Sequence, residues 1–444
     1  YHFWDFARPD REIADDDNMA PYQSMTIVDE IGGTPLVTVN FGSGTADEAR
    51  RYVDHLAGTG PSEEVLARAH WGHAEPWPVE IYELGNESYG FWNTGFSDSG
   101  AYSYANPEAS HGGDPAWHGR PSADPRDYAA RAIEYLDAMT SVQPGARAWV
   151  PLSQASMDAW GGLEAALAGL DPLLRDERVG AVVVHHYQVD DVAPFGALDK
   201  AAPELALAGS ELLRPGYVEL RSRLDALPRA EPLAIAITEY HVAGAFTLGA
   251  FDELADTPVV GLGVADALLT FADLGIEHAA QHMAIAFGDD AAAESLFEPW
   301  YNPLRVVAGE VVPRPSYVAT ALVAEHLRRD TVRLAPQAMQ HGTYTEGALV
   351  LEYPLVTAVA FVDDESATVV GLHRDLGEAH RVSFDVPDED WQVDGARAYA
   401  PAEIAAAIGD EAIALDELAV EQVGRRFVLD LPPHALFAVT LRRS

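Results

Sequence analysis

The sequence predicts an α/β fold: a parallel sheet within residues 1–330, then an antiparallel β-sandwich over residues 331–444. Three observations carry that expectation. Strand-like runs alternate with helical stretches, the order that βα units leave in a sequence. The strand runs are apolar along their length; Ala181–His186 reads A-V-V-V-H-H, with no alternation, as a strand buried on both faces does. Near Val332 the texture changes, and short runs separated by turn residues follow one another with no crossover helix, which describes a sandwich.

Taken in order, Tyr1–Gln23 has no clear period and is expected to be a long loop that includes the acidic run Asp15–Asp17. Pro35–Asn40 is a buried strand, and Phe41–Gly44 a glycine-rich turn. Thr45-Ala-Asp-Glu48 fits a capping box; the helix it starts should reach about Leu56 and stop at Gly58. Val79–Leu84 is the second strand. Ser88–Ser122 is long, aromatic and rich in Gly, Asn and Ser, a kind of loop that tends to carry function. Asp124-Pro125 starts a helix, with Tyr128, Ile133, Leu136 and Met139 at helical spacing. Ala146–Pro151, Ala181–His186, Leu233–Thr238 and Ala279–Ala286 are strands. Tyr217–Leu227, Val259–Leu274 and Ser316–Arg328 are helices. The sandwich strands are Leu349–Tyr353, Val356–Phe361, Thr368–His373, His380–Val386, Arg426–Leu431 and Leu436–Leu441. There are no internal repeats. The parallel part yields six strands, ending at Asn40, Glu87, Ser153, Tyr187, Glu239 and Gln281, whereas a closed eightfold barrel needs two more. The runs alone leave an open sheet and an incomplete barrel both standing.

The chain has 444 residues, enough for a barrel and one smaller domain, and at 48% hydrophobic it can bury a large core. No apolar run is long enough to span a membrane. It opens Y-H-F-W-D-F, without Met and without a basic-then-apolar leader, so a signal peptide is expected to be absent or removed. There is no cysteine, which excludes disulfides and thiolate chemistry and leaves the compartment, cytoplasmic or secreted, open. The net charge of −42, from 70 acidic and 28 basic residues, argues against nucleic-acid and membrane partners. That acidity fits either a solvated surface from a high-GC genome or adaptation to high salt, where screening relieves self-repulsion.

Two stretches carry the chemistry. Val79–Gly90 reads V-E-I-Y-E-L-G-N-E-S-Y-G: a strand that breaks at Gly85 and sets Asn86 and Glu87 side by side at its end. Pro232–His241 reads P-L-A-I-A-I-T-E-Y-H, an apolar run ending in Thr238, Glu239 and Tyr240. Two glutamates at the ends of parallel strands can share one rim, and paired carboxylates flanking a glycosidic bond are the machinery of sugar hydrolysis. One must stay protonated to donate to the leaving oxygen, the other ionised to attack the sugar carbon. His185-His186-Tyr187 ends a strand of its own. Adjacent strand residues face opposite ways, so the two histidines do not share one ion, and no cysteine or Asp/Glu cluster completes a site with them. No metal or cofactor is therefore expected. His185 reads as a core histidine, with Tyr187 or His186 orienting the nucleophile. Trp71, Trp77, Phe91, Trp92, Tyr102 and Trp117 crowd the loops around Glu87 and could stack on sugar rings. There is no G-x-G-x-x-G, Walker or G-x-S-x-G motif, so nucleotide binding and esterase chemistry lack support.

E-L-G-N-E (Glu83–Glu87), V-N-F-G-S-G-T (Val39–Thr45), F-W-N-T-G (Phe91–Gly95) and Ala280-Gln281 resemble the retaining α-L-arabinofuranosidases of glycosidase clan A, family 51 in type. The resemblance covers about residues 1–330, with a matching C-terminal sandwich. It implies a (β/α)8 TIM barrel of which six βα units lie in this chain, and another chain or an N-terminal segment that supplies strands one and two. It implies Glu87 as acid/base, Glu239 as nucleophile and Asn86 as the contact to the sugar 2-hydroxyl. Tyr187 would orient the nucleophile. Trp92 and Gln281 would line the sugar site, together with Asn40, His186 and Tyr240. The substrate expected is a carbohydrate bearing terminal α-L-arabinofuranosyl groups, and a homo-oligomer is compatible with the sequence. Two departures stand out: Thr238-Glu239-Tyr240 replaces the family's Asp-Glu-Trp, and no Arg-x-Pro-Gly-Gly type segment is found. A β-xylosidase, a β-glucuronidase-like enzyme, an endo-glucanase and a catalytically dead carbohydrate-binding barrel remain as alternatives.

Overall fold

The computed structural model describes residues 21–41, 44–70, 72–88, 124–152, 160–192, 202–244, 254, 257–282, 285–286, 303–307, 310–327, 330–334, 339–346, 349–405 and 413–444. Six strands, β1 (Leu36–Val39), β2 (Ile81–Leu84), β3 (Arg147–Pro151), β4 (Val179–Tyr187), β5 (Ala234–His241) and β6 (His278–Gln281), form one sheet in sequence order. Where its register is defined the pairing is parallel: Leu36 opposes Ile81, Ile81 opposes Arg147, and Ala148 opposes Val179. The described helices are α1 (Pro21–Glu30), α2 (Ala46–Ala57), α3 (Glu63–His70), α4 (Pro125–Val142), α5 (Leu163–Leu174), α6 (Gln188–Val192), α7 (Pro203–Asp225), α8 (Pro258–Asp273) and α9 (Pro315–Ala324). None of them is long and apolar enough to cross a membrane. The chain divides into two compact units, Tyr1–Val184 with Leu220–Ala236, and His185–Glu219 with Ile237–Ser444, so the division cuts through β4 and β5.

In the first unit local chemistry sets the elements. Thr45 caps α2: its hydroxyl accepts from the Glu48 amide at 3.2 Å, and the Glu48 carboxylate accepts from the Thr45 amide at 3.0 Å, the reciprocal box expected from sequence. Asp124 caps α4 by accepting from the Arg126 amide at 2.8 Å. The buried residues Tyr128, Ala132, Tyr135, Leu136 and Met139 then mark one face of α4. Beneath the sheet, Trp149, Ala181, Val183 and Ala236 form a small core, with Leu36, Ile81 and Ala234 packed on it. Three details differ from the sequence reading. Residues 21–23, expected in a loop, open α1. The helices α3 and α5 had no expected counterpart; α5 contains Gly169 and Pro172, which disguise it. Gly169 is there because a side chain would meet the Pro125 ring at 2.4 Å, so the apparent breaker is a point of close helix packing.

In the second unit, β13 (Val356–Val362), β14 (Ser366–His373), β16 (Trp391–Tyr399) and β20 (Leu436–Arg443), with β10 (Asp330–Arg333) and β17 (Asp416–Glu417) at its edges, form an antiparallel sheet of order β10-β13-β14-β20-β16-β17, while β11 (His341–Glu346) and β12 (Leu349–Pro354) pair as a separate antiparallel hairpin. Alternation decides what covers each face. Ala360, Val369, Phe437 and Val439 pack with Phe427, Leu429 and Leu431 of β19 (Arg426–Leu431), which belongs to a smaller sheet with β15 (His380–Asp385) and β18 (Val420–Val423). Their neighbours Val359, Phe361, Val370, Leu372, Leu436 and Ala438 pack instead on Leu262, Ala265 and Leu269 of α8 and on Ala319, Leu322 and Val323 of α9. The sheet therefore has a sandwich on one face and helices on the other. Arg374 pins this second contact. Wholly buried, it donates to the carbonyls of Leu207 and Pro354, to the Thr357 hydroxyl and to the Asp266 carboxylate. A buried charge needs such complete pairing to be tolerated. The expected strand Ala279–Ala286 is two elements: β6 ends at Gln281, and Ile285–Ala286 (β7) joins β8 (Leu304–Val307) and β9 (Glu310–Pro313) in a separate sheet.

Candidate active site

The Glu87 region is built by backbone. α4 turns Tyr128, Arg131 and Tyr135 toward the ends of β1 and β2. The Tyr128 hydroxyl donates to the Leu84 carbonyl at 2.8 Å, and the Tyr135 hydroxyl to the Asn40 carbonyl at 3.3 Å. The Phe41 ring lies 4.8 Å from the Tyr128 ring and 4.9 Å from that of Tyr135, and the Arg131 guanidinium covers Phe41 at 4.3 Å while donating to its carbonyl. Burial pushes the Tyr128 phenol well above its usual pKa, so it remains a donor. Against this aromatic block the chain after β2 turns sharply: Gly85 has φ +86°, and a side chain there would meet Ser88 Oγ at 2.2 Å and Phe41 Cβ at 2.6 Å. Glu87 itself has φ 45°, a left-handed conformation rare for a glutamate. Such outliers persist only where their surroundings enforce them, and they cluster at functional sites. Asn86 is exposed and Glu87 half-buried.

The Glu239 region is built by side chains on regular strands. The Tyr187 hydroxyl donates to Glu239 Oε2 at 2.6 Å, a short hydrogen bond of the kind a charged acceptor makes. His185 Nδ1 lies 3.5 Å from the same oxygen, and His185 Nε2 is 3.1 Å from the Thr238 hydroxyl. With that hydroxyl donating to Nε2, the Nδ1 hydrogen faces the carboxylate. The Glu239 side chain is 19% exposed, so it is gripped on one side and open on the other.

Strand alternation sorts the expected residues. His185 and Tyr187 lie two apart on β4 and both reach Glu239. His186, between them, points the other way: fully buried, it bonds the Ser210 hydroxyl at 2.9 Å and the Tyr217 hydroxyl at 2.8 Å, with the Phe271 ring edge-on at 5.0 Å. Burial lowers its pKa to about 3, so it is neutral. Tyr240 is likewise buried and meets the same Phe271 ring edge-on at 5.5 Å. His186 and Tyr240, expected at the sugar, are instead core residues on the helix-facing side of the sheet. His185, expected in the core, is instead against the carboxylate. Its position two before Tyr187 was the signal that could have found it. Gln281, at the end of β6, accepts from the Thr320 hydroxyl at 3.3 Å, and its Nε2 is buried without a partner. Asn40 has an exposed side chain at the end of β1. Trp71, Phe91, Trp92, Tyr102 and Trp117 lie outside the described residues. Trp77 is buried, stacked on His73 with ring centroids 3.5 Å apart.

No family model matches this sequence. Over 74 residues it is 38% identical to a probable α-L-arabinofuranosidase C of Aspergillus flavus, and over 76 residues 28% identical to an intracellular exo-α-L-arabinofuranosidase of Bacteroides ovatus. Each of these matches spans 17% of this chain and 15% of the relative's length. Among solved structures, a family 51 α-L-arabinofuranosidase from Bifidobacterium longum superposes with a TM-score of 0.74 at 14% identity, over all of this chain and 84% of that one. The α-L-arabinofuranosidase of Thermotoga maritima, in its arabinose complex, gives 0.71 at 16% identity, over all of this chain and 85% of that one. A family 44 xyloglucanase from Paenibacillus polymyxa gives 0.56 at 11% identity over 95% of this chain and 83% of that one. Local in sequence, the likeness runs the whole length of the chain in structure: this protein has the barrel-and-sandwich fold of the family 51 α-L-arabinofuranosidases.

Proposed function

We propose that this protein is a retaining glycoside hydrolase that removes terminal α-L-arabinofuranosyl residues from oligosaccharides or polysaccharides by double displacement. Its main support is the Tyr187 hydroxyl held 2.6 Å from Glu239 Oε2. That bond stabilises the ionised carboxylate and fixes the direction of its attack, which a nucleophile requires. Glu239 attacks the anomeric carbon, and the sugar–oxygen bond breaks as Glu87 donates its proton to the leaving oxygen. Glu87, now a carboxylate, then takes a proton from water, which hydrolyses the glycosyl-enzyme and releases Glu239. Asn86, beside the acid, donates to the sugar 2-hydroxyl. Gln281 Nε2, a buried donor with no protein partner, and Trp92 line the sugar site. We assign residues 1–330 to the catalytic barrel and 331–444 to the supporting sandwich. The described parallel sheet ends at β1 and β6, with six strands. Two further βα units, on this polypeptide or another, would complete the eight of a closed barrel.

A panel of nitrophenyl glycosides tests the substrate. Turnover of the α-L-arabinofuranoside above the β-xyloside, β-glucuronide and β-glucoside, with the product released in the α configuration by proton NMR, is the expected result. Inverted product would remove the covalent intermediate. Turnover undiminished in Glu239→Ala would remove Glu239 from the chemistry.

A further inference from the structure

In the second unit, the turn from β14 to β15 brings together polar groups that the glycosidase chemistry does not use. His373 closes β14, Asp375 lies in the turn and His380 opens β15. One potential ligand atom from each lies within 4.8 Å of the others. His373 is fully buried, and its Nδ1 is 2.6 Å from the Pro432 carbonyl, which can only accept. The ring hydrogen is therefore on Nδ1, and Nε2 carries a lone pair. That Nε2 is buried without a hydrogen-bond partner. A backbone carbonyl fixing one imidazole nitrogen while the other is free to coordinate is how metal-binding histidines are oriented.

Asp375 is prepared in the same manner. Its Oδ1 accepts from the amides of Gly377 and Glu378 at 3.0 and 2.9 Å, while Oδ2 faces His380 Nε2 at 2.9 Å. Asp375 and His380 are about one-fifth exposed, which gives an ion a way in.

We propose that His373, Asp375 and His380 bind one divalent transition-metal ion of the zinc class. Two imidazoles and one carboxylate favour such an ion over calcium or magnesium, which prefer all-oxygen shells. Ligand bonds of about 2.0–2.2 Å place neighbouring donors of a tetrahedral ion roughly 3.3 Å apart. The partly exposed Asp375 and His380 close the remaining distance onto the buried His373. Coordination replaces the hydrogen between His380 Nε2 and Asp375, and that proton moves to His380 Nδ1 or to solvent. The ion would tie β14 to β15.

The test uses the whole chain, stripped of metal by chelation and titrated with Co²⁺. A visible ligand-field absorption that saturates at one equivalent and is abolished by Zn²⁺ is expected, together with a Zn²⁺-dependent rise in Tm. Both signals should be lost in Asp375→Asn, which keeps the oxygen that accepts from Gly377 and Glu378, and in His380→Ala, with far-ultraviolet circular dichroism unchanged. Both should persist in Glu239→Gln, which rules out binding at the carboxylate beside His185. No saturable absorption in the parent chain, or one that survives Asp375→Asn and His380→Ala, would show the cluster to be a hydrogen-bonded turn only.

Discussion

Glu87 and Glu239 are held in opposite ways. Glu87 sits on a strained turn, with Gly85 at φ +86° and Glu87 at φ 45°, and is placed by the packing of Phe41, Ser88 and Tyr128 behind it. Glu239 sits on an ordinary strand and is placed by hydroxyl and imidazole groups that touch its own carboxylate. The difference suits the two roles proposed for them. An acid/base must exchange protons with a leaving group and then with water, and a half-buried carboxyl at the end of a turn stays within reach of both. A nucleophile must be aimed, and direct hydrogen bonds to the carboxylate do that. Changes around Glu239 should therefore appear as rate, and changes behind Glu87 as stability.

The largest effect expected from breaking this contrast is at Glu87 itself. Glu87→Ala should lower kcat on natural linkages by about 10²–10⁴-fold, the usual contribution of general acid–base catalysis. An activated aryl glycoside needs no protonation of its leaving group, so its first step should be spared, and azide should restore part of its turnover. Wild-type rates on a natural linkage would remove Glu87 from the acid/base role.

Next comes the support of the nucleophile. Tyr187→Phe deletes one hydrogen bond to a charged group, worth about 1.5–3 kcal/mol, which is roughly 10–100-fold in kcat. KM and Tm should move little. A loss of Tm with kcat intact would mean that Tyr187 serves packing instead.

The opposite pattern is expected of Gly85→Ala. The left-handed backbone and the approach to Phe41 Cβ should cost about 1–3 kcal/mol of stability, seen as a lower urea midpoint. If Tm is unchanged, the turn has room that its geometry does not suggest.

Much of this was legible in the sequence, and the limits have physical causes. The capping box at Thr45, the helix start at Asp124-Pro125 and the strand ends at Leu84 and Tyr187 follow from local chemistry, which a sequence carries directly. The long helix α7 was seen only in its second half, because Pro215-Gly216 reads as a break where tertiary packing lets the helix run on. Alternation along His185-His186-Tyr187 predicts opposite faces, and the structure has them so. Which face was the inner one depends on Phe271, 84 residues beyond Tyr187, and no local pattern supplies that. The cluster of His373, Asp375 and His380 has a spacing outside the usual metal motifs, and its free nitrogen is defined only by the Pro432 carbonyl far along the chain.

The smallest expected effect separates the two units by pH. Burial lowers the pKa of His55, in the first unit, to about 4, and those of His186 and His241, in the second, to about 3; His373, also in the second, is lowered too. Unfolding restores each to about 6.5, so between that value and the folded one the unfolded state binds more protons. Stability is thus full above about pH 6.5 and falls as pH drops, by roughly 1 kcal/mol per pH unit for each fully buried imidazole. Asp266 works the other way: burial raises its pKa to about 6 against the pull of Arg374, so it offsets one histidine of the second unit below that pH. The second unit then keeps the larger net number of depressed histidines. Hydrogen exchange followed from pH 6.5 to pH 5, corrected for intrinsic rates, should show the second unit losing more protection than the first. His186→Asn should reduce that difference. Equal losses in the two units would mean that these imidazoles reach protons without unfolding.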